Sequence, residues 1–210
     1  MARTTDPAPT RRVAFESCME PLATTVPALP VSSDVDLVRR AAGGDTIAFE
    51  RLIIARADRA FRTARAILGD ESDARDATQE AFLSAWRELP RLRDLESFDA
   101  WLRRILVNAC LAQFRGRRRV HDISLDETFV ASDPGPLVSD RVSDSDVVAR
   151  AFARLDAHKR SILVLHHLDH EPLASIANTL GIPVGTAKSR LSDARAALRR
   201  ALAIEGEALQ

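Results

Sequence analysis

The chain has no tyrosine, and Phe and Trp bring aromatics to only 5% of its 210 residues. Runs of β-branched residues are also missing, and glycine is sparse outside apparent turns. These shortages argue against a sheet protein, whose strands draw on those residue types. The two cysteines, Cys18 and Cys110, exclude a disulfide framework and match no metal-ligand or redox spacing. No apolar run approaches the length needed to cross a bilayer, and the N-terminus lacks a signal-peptide pattern, so a cytoplasmic location is expected. Net charge is absent as well, at +0, which for the chain as a whole gives no electrostatic pull toward nucleic acid. No nucleophile–base pair or phosphate-cradling loop stands out, so no enzyme and no cofactor is expected.

What the chain does hold is 46% hydrophobic residues, dominated with Arg by Ala and Leu, which points to an all-α protein with an ample core. Its charge is unevenly placed. Residues 34–119 carry 17 basic and 14 acidic residues, 120–150 carry 2 and 7, and 151–210 carry 8 and 6. Residues 1–33 contain five prolines among Thr, Ser and Ala, the composition of a flexible tail. Residues 120–146 are acidic, rich in Ser and Asp, and broken by Pro134-Gly135-Pro136, the composition of a flexible linker. The expected organisation is two small helical domains, 34–119 and 147–204, on an acidic tether, with 205–210 frayed.

In the first block, Asp70 or Ser72 can cap a helix whose Ala74, Ala77, Ala81, Phe82, Ala85, Trp86 and Leu89 recur at helical spacing. Asp76, Gln79, Glu80, Leu83 and Arg87 lie off that stripe. They form either a solvated face with one exposed leucine or a docking surface for a partner helix. A second helix, capped by Ser97, is expected to bury Phe98, Trp101, Leu102, Ile105, Ala109 and Ala112. Between Ala100 and Val120 it has no acid but six arginines, 103, 104, 115, 117, 118 and 119. Arginines can hold phosphates while Asn108 hydrogen-bonds a base edge, although a basic helix end is also favoured by the helix dipole alone.

The second block breaks its helical pattern at Gly181-Ile182-Pro183. A helix over Leu173–Leu180 ends there, with Gly181 suited to positive φ and Pro183 at the start of the next helix. Ala187, Leu191, Ala194 and Leu198 then face inward. Gly185, Thr186, Lys188, Ser189 and Arg190, followed by Arg195, Arg199 and Arg200, face outward, with Asp193 the one acid. This is helix-turn-helix patterning, in which the start of the second helix meets base edges in the major groove; a plain helical hairpin is the blander alternative. His166, His167 and His170 lack the acid spacing of a hydrolase metal site, so a structural cluster and no metal are expected.

Together, DARDATQEAFLSAWREL, FDAWLRRILVNACLAQFRGRRR and GIPVGTAKSRLSDARAALRRAL, in that order around an acidic linker, resemble the extracytoplasmic-function (ECF) sigma factors of bacterial RNA polymerase. The resemblance covers roughly residues 34 to 202. It implies a region 2 domain that grips core RNA polymerase and opens the −10 element, and a region 4 domain that reads the −35 element. Asp76, Gln79, Glu80, Leu83 and Arg87 would dock on the polymerase. Arg103, Arg104, Asn108 and Arg115 would meet the −10 strand. Gly185, Thr186, Lys188, Ser189, Arg190 and Arg195 would meet the −35 groove. An inhibitory anti-sigma factor is also implied.

The chain departs from the family pattern at Leu92, Ala112 and Asp193, where an aromatic, an aspartate and a basic residue are common. With four or five phosphate contacts at most on the second domain, the free chain is expected to bind promoter DNA weakly, becoming competent only on core polymerase. A stand-alone helix-turn-helix regulator, dimeric on palindromic half-sites, is the competing reading.

Overall fold

The computed structural model describes residues 33–123 and 144–207, with the side chains of 117–123, 144, 145 and 207 left aside. Most of the expected tail and linker, and Arg117, Arg118 and Arg119, therefore lie outside the described residues or side chains. The described residues are all-α. The first unit contains α1 (Asp34–Ala42), α2 (Thr46–Leu68), α3 (Glu71–Glu88) and α4 (Phe98–Ile123). The second contains α5 (Asp144–Ala153), α6 (Ala157–His167), α7 (Leu173–Leu180) and α8 (Val184–Glu207).

The helix starts are set by short polar side chains accepting from freed backbone N–H groups. Asp45 accepts from Ala48 N at 3.0 Å, Asp70 from Asp73 N at 2.9 Å and Asp156 from Lys159 N at 2.9 Å. Gly69 (φ 82°) and Gly181 (φ 64°) end α2 and α7 in the left-handed region, where a Cβ would be strained. Ser97 departs from expectation. Its hydroxyl donates to the Asp94 carbonyl at 2.8 Å, closing a short 3₁₀ turn (Leu95–Ser97) that runs directly into α4.

The inner face of α3 is an alanine seam. Ala74, Ala81 and Ala85 are 0% exposed and Ala77 3%, so neighbouring helices approach with little between them. Phe82 and Trp86 fill the end of the seam, Trp86 with its ring 4.9 Å from that of Phe49 on α2. Full burial of a Leu or Ile such as Leu52, Ile67, Leu89, Ile162, Leu165 and Ile176 is worth roughly 1.5–3 kcal/mol each.

The two units are packed on each other, and their buried residues form one cluster. α6 and α7 lie against α2 and α4. This shared packing explains two departures from the one-stripe pattern. On α4, Leu106, Val107 and Cys110 are buried while Ala112 is exposed, because the helix is covered by α3 on one side and by the second unit on another. On α6, four consecutive residues, Ile162 to Leu165, are buried because the helix is sandwiched between α8 and the first unit.

Candidate nucleic-acid interface and docking face

Three exposed faces carry the expected site residues. On α3, Asp76, Gln79, Glu80 and Arg87 are exposed and Leu83 is half-buried among them. Arg87 Nη1 lies 3.7 Å from Glu80 Oε1, and Ser84 donates to the same carboxylate at 3.2 Å. The alanine seam beneath fixes this face in place: an acidic and amide surface around one leucine, suited to a partner that brings cations and an apolar socket.

On α4, Arg104, Asn108 and Arg115 share one exposed face, as their spacing of four and seven residues requires at 3.6 residues per turn. The Arg115 guanidinium folds back to the Leu111 carbonyl at 3.2 Å. Arg103 is a quarter-turn away and is not part of that group. Its side chain is 13% exposed and its Nη2 lies 2.6 Å from Glu171 Oε1 of the second unit.

On α8, Gly185, Lys188, Ser189 and Arg190 are exposed and Thr186 is half-buried near the helix start. Pro183 sits just before α8, its carbonyl accepting from Ala187 N at 3.0 Å. No acid occupies the first turn, so its N–H groups and positive dipole end remain open to an anion. Ala187, Leu191 and Ala194 hold the opposite face inward, with Leu198 partly buried against the core. The Ser189 hydroxyl donates to the Thr186 carbonyl at 3.0 Å, which fixes its rotamer while leaving its oxygen exposed. Arg195 sits further along, its Nε 3.4 Å from His167 Nε2.

The histidines stay within the second unit. The His166 and His167 rings lie 4.6 Å apart, and His170 adopts φ 55° in the turn before α7. Desolvation, then the neighbouring His166, Arg195 and His170, push His167 below its ordinary value. Among the described residues, no group of three or more His, Cys, Asp or Glu is placed to hold a metal ion. No described helix is long and apolar enough to cross a membrane.

Sequence reasoning did not single out Arg160, Asp169 or Glu171. Arg160 is 7% exposed. Its Nη1 donates to the Ile67 and Leu68 carbonyls at 3.3 and 3.2 Å, across the boundary between the units. Its Nε donates to the Leu155 carbonyl at 2.9 Å and its Nη2 to the Ala153 carbonyl. Asp169 accepts from the Thr63 hydroxyl at 3.2 Å and lies 3.4 Å from Arg59. The one available signal was an arginine standing two residues before the apolar run Ile162–Leu165 of α6.

Comparison with known proteins matches residues 52–120 to the Sigma-70 region 2 family model and residues 145–198 to the Sigma-70 region 4 model. The ECF RNA polymerase sigma factor SigM of Mycobacterium tuberculosis is 34% identical over 170 residues, covering 81% of this chain and 85% of that protein. SigW of Bacillus subtilis is 27% identical over 178 residues, covering 79% and 94%. Among solved structures, CnrH in complex with the cytosolic domain of CnrY has a TM-score of 0.59 at 25% identity, covering 82% of this chain and 99% of that one. Both family models fall on the two packed units, in the order of the three exposed faces, and the chain belongs to the ECF sigma factors of the sigma-70 family.

Proposed function

We propose that the chain binds core RNA polymerase through the α3 face and directs it to promoters with two DNA-reading faces. Asp76, Gln79, Glu80, Leu83 and Arg87 meet the polymerase. Arg104, Asn108 and Arg115, joined by Arg103 when it is released from Glu171, meet the −10 strand. Gly185, Thr186, Lys188, Ser189 and Arg190 meet the −35 major groove, with Arg195 toward the flanking phosphates. Residues 34–119 and 147–204 act as the two functional units, and an anti-sigma protein is the natural inhibitor. The factor contributes binding and positioning rather than catalysis.

The observation that supports this best is the segregation of the exposed residues. An amide-bearing basic face on α4 and a polar, acid-free start to α8 stand apart from the acidic face of α3. A nucleic acid and a protein partner can therefore be held at once.

Run-off transcription with purified core polymerase tests the assignment. The wild-type chain should yield a discrete promoter-dependent transcript. Leu83→Glu should lose it while keeping wild-type helicity, because a carboxylate replaces the one apolar contact on the docking face. A tight, sequence-specific gel shift by the chain alone at physiological salt would contradict the proposal.

A further inference from the structure

One residue on the exposed side of α8 runs against the charge of its neighbours. Between Val184 and Ile204 the helix carries Lys188, Arg190, Arg195, Arg199 and Arg200 and one acid, Asp193. Asp193 is exposed, and among the described residues it has neither a hydrogen-bond nor an ion-pair partner. Arg190 precedes it by three residues, a spacing at which helical ion pairs form, and still leaves it unpaired. Its carboxylate is open to whatever approaches this face.

Its angular place on the helix separates it from the cations. Ala187, Leu191, Ala194 and Leu198 mark the inward side. At about 3.6 residues per turn, Ser189 lies almost opposite them, with Ser192 and Asp193 about 50° to either side of the outward direction. Lys188 and Arg195 fall on one flank and Arg190 on the other, each about 100° from that direction. A helix seated in a major groove has phosphates along both flanks and base edges beneath its centre. The first three turns of α8 fit that layout: cations for the two walls, and Gly185, Ser189, Ser192 and Asp193 for the floor. Among phosphates a carboxylate would only be repelled; on the floor it can accept a hydrogen bond.

We infer that Asp193 sets base choice at one position of the −35 element by accepting from the N4 amino group of a cytosine. The inference deepens the −35 assignment proposed above and rests on it. Cytosine offers a carboxylate a donor with no acceptor beside it on the same base. Guanine presents N7 and O6 and thymine presents O4, all acceptors, while adenine sets N7 next to its N6 amino group. Asp193 therefore favours one base and disfavours the other three. The same charge opposes the phosphates that Lys188, Arg190 and Arg195 attract, so Asp193 lowers general affinity for DNA while raising selectivity.

Selection by the holoenzyme tests it. Core polymerase carrying this chain is mixed with duplexes randomised across both promoter elements, and the bound DNA is recovered and sequenced. The wild-type chain should enrich a cytosine at one −35 position by about fivefold or more over each other base. Asp193→Ala should erase that preference, leave the other positions unchanged and bind non-specific DNA at least as tightly. Asp193→Asn should move the preference to adenine, whose N6 and N7 an amide pairs with. A −35 motif that Asp193→Ala leaves intact would overturn the inference, as would continued selection of cytosine by Asp193→Asn. So would a uniform gain by Asp193→Ala at every sequence, which would make Asp193 no more than an opponent of phosphate. In all three cases the −35 assignment would stand; a wild-type chain that enriches no −35 motif would overturn both.

Discussion

Replacing Arg160 by methionine keeps a long side chain in its channel and removes the guanidinium. Four carbonyls then lose a donor: Ile67 and Leu68 on the first unit, Leu155 and Ala153 on the second. Hydrogen bonds from a charged donor are worth about 1.5–3 kcal/mol each. The two bonds to Ile67 and Leu68 share one nitrogen at 3.3 and 3.2 Å and together count as little more than one. Three effective bonds set a gross loss of about 5–9 kcal/mol, and relief from burying a cation returns several of these. A net destabilisation of about 3 kcal/mol is expected. For a chain of this size each kcal/mol moves the melting temperature by about 2–4 °C, so Tm should fall by about 6–12 °C. Thermal unfolding followed by circular dichroism at 222 nm reads this directly. The shared core should keep the wild-type transition single. Lysine, with one compact cation in place of a planar fork, should recover only part of the loss. A fall of less than about 2 °C for Arg160→Met would refute the reasoning, since it would mean that water replaces the guanidinium at no cost.

Other predictions follow from the same geometry. Glu205 on α8 accepts from Arg150 of α5 at 2.8 Å and from Arg154, just past the end of α5, at 2.5 Å, and these bonds, Arg150 first, hold its carboxyl below the ordinary 4.5. Its folded-state value is depressed, so its contribution is fully present above pH 4.5 and is lost as pH falls through the lower folded value. Glu205→Gln should therefore lower the urea midpoint at pH 7, with the difference shrinking under acid. Burial pushes the Cys110 thiol up to about 12, so it should resist Ellman's reagent at pH 8 in the native chain and react once urea unfolds it. In the polymerase holoenzyme, Lys188→Ala and Arg190→Ala should each reduce the slope of log promoter affinity against log salt by up to about 0.9 where the side chain meets a phosphate. An unchanged slope would place that side chain off the backbone.

Much of this architecture was legible locally. The Leu173–Leu180 helix and its glycine stop follow from short-range spacing and turn chemistry, and the structure has them at those bounds. The alanine stripe of α3 was equally plain, because a helix covered on one side carries a single periodic face. α4 and α6 were less readable for the opposite reason. Each is covered on two sides, so the burial of Val107 or Val164 depends on a surface supplied from far along the chain. No window of adjacent residues encodes that. Arg103 shows the same limit for the site. Its residue type fits phosphate binding as well as that of Arg104 does, and only the approach of Glu171 separates the two. Ser97 was misread because hydroxyl identity alone does not distinguish accepting from a helix N–H and donating to the preceding turn.

The seam of alanines under α3 has a consequence for how such a factor can diversify. A methyl group is the largest side chain that fits there, and one added branch would force neighbouring helices apart at a cost of about 1–3 kcal/mol. The outward positions of the same helix face no such limit. One 18-residue segment therefore divides its inheritance lengthwise: a side frozen by its own tightness, and a side left open for each lineage to retune to the machine it serves.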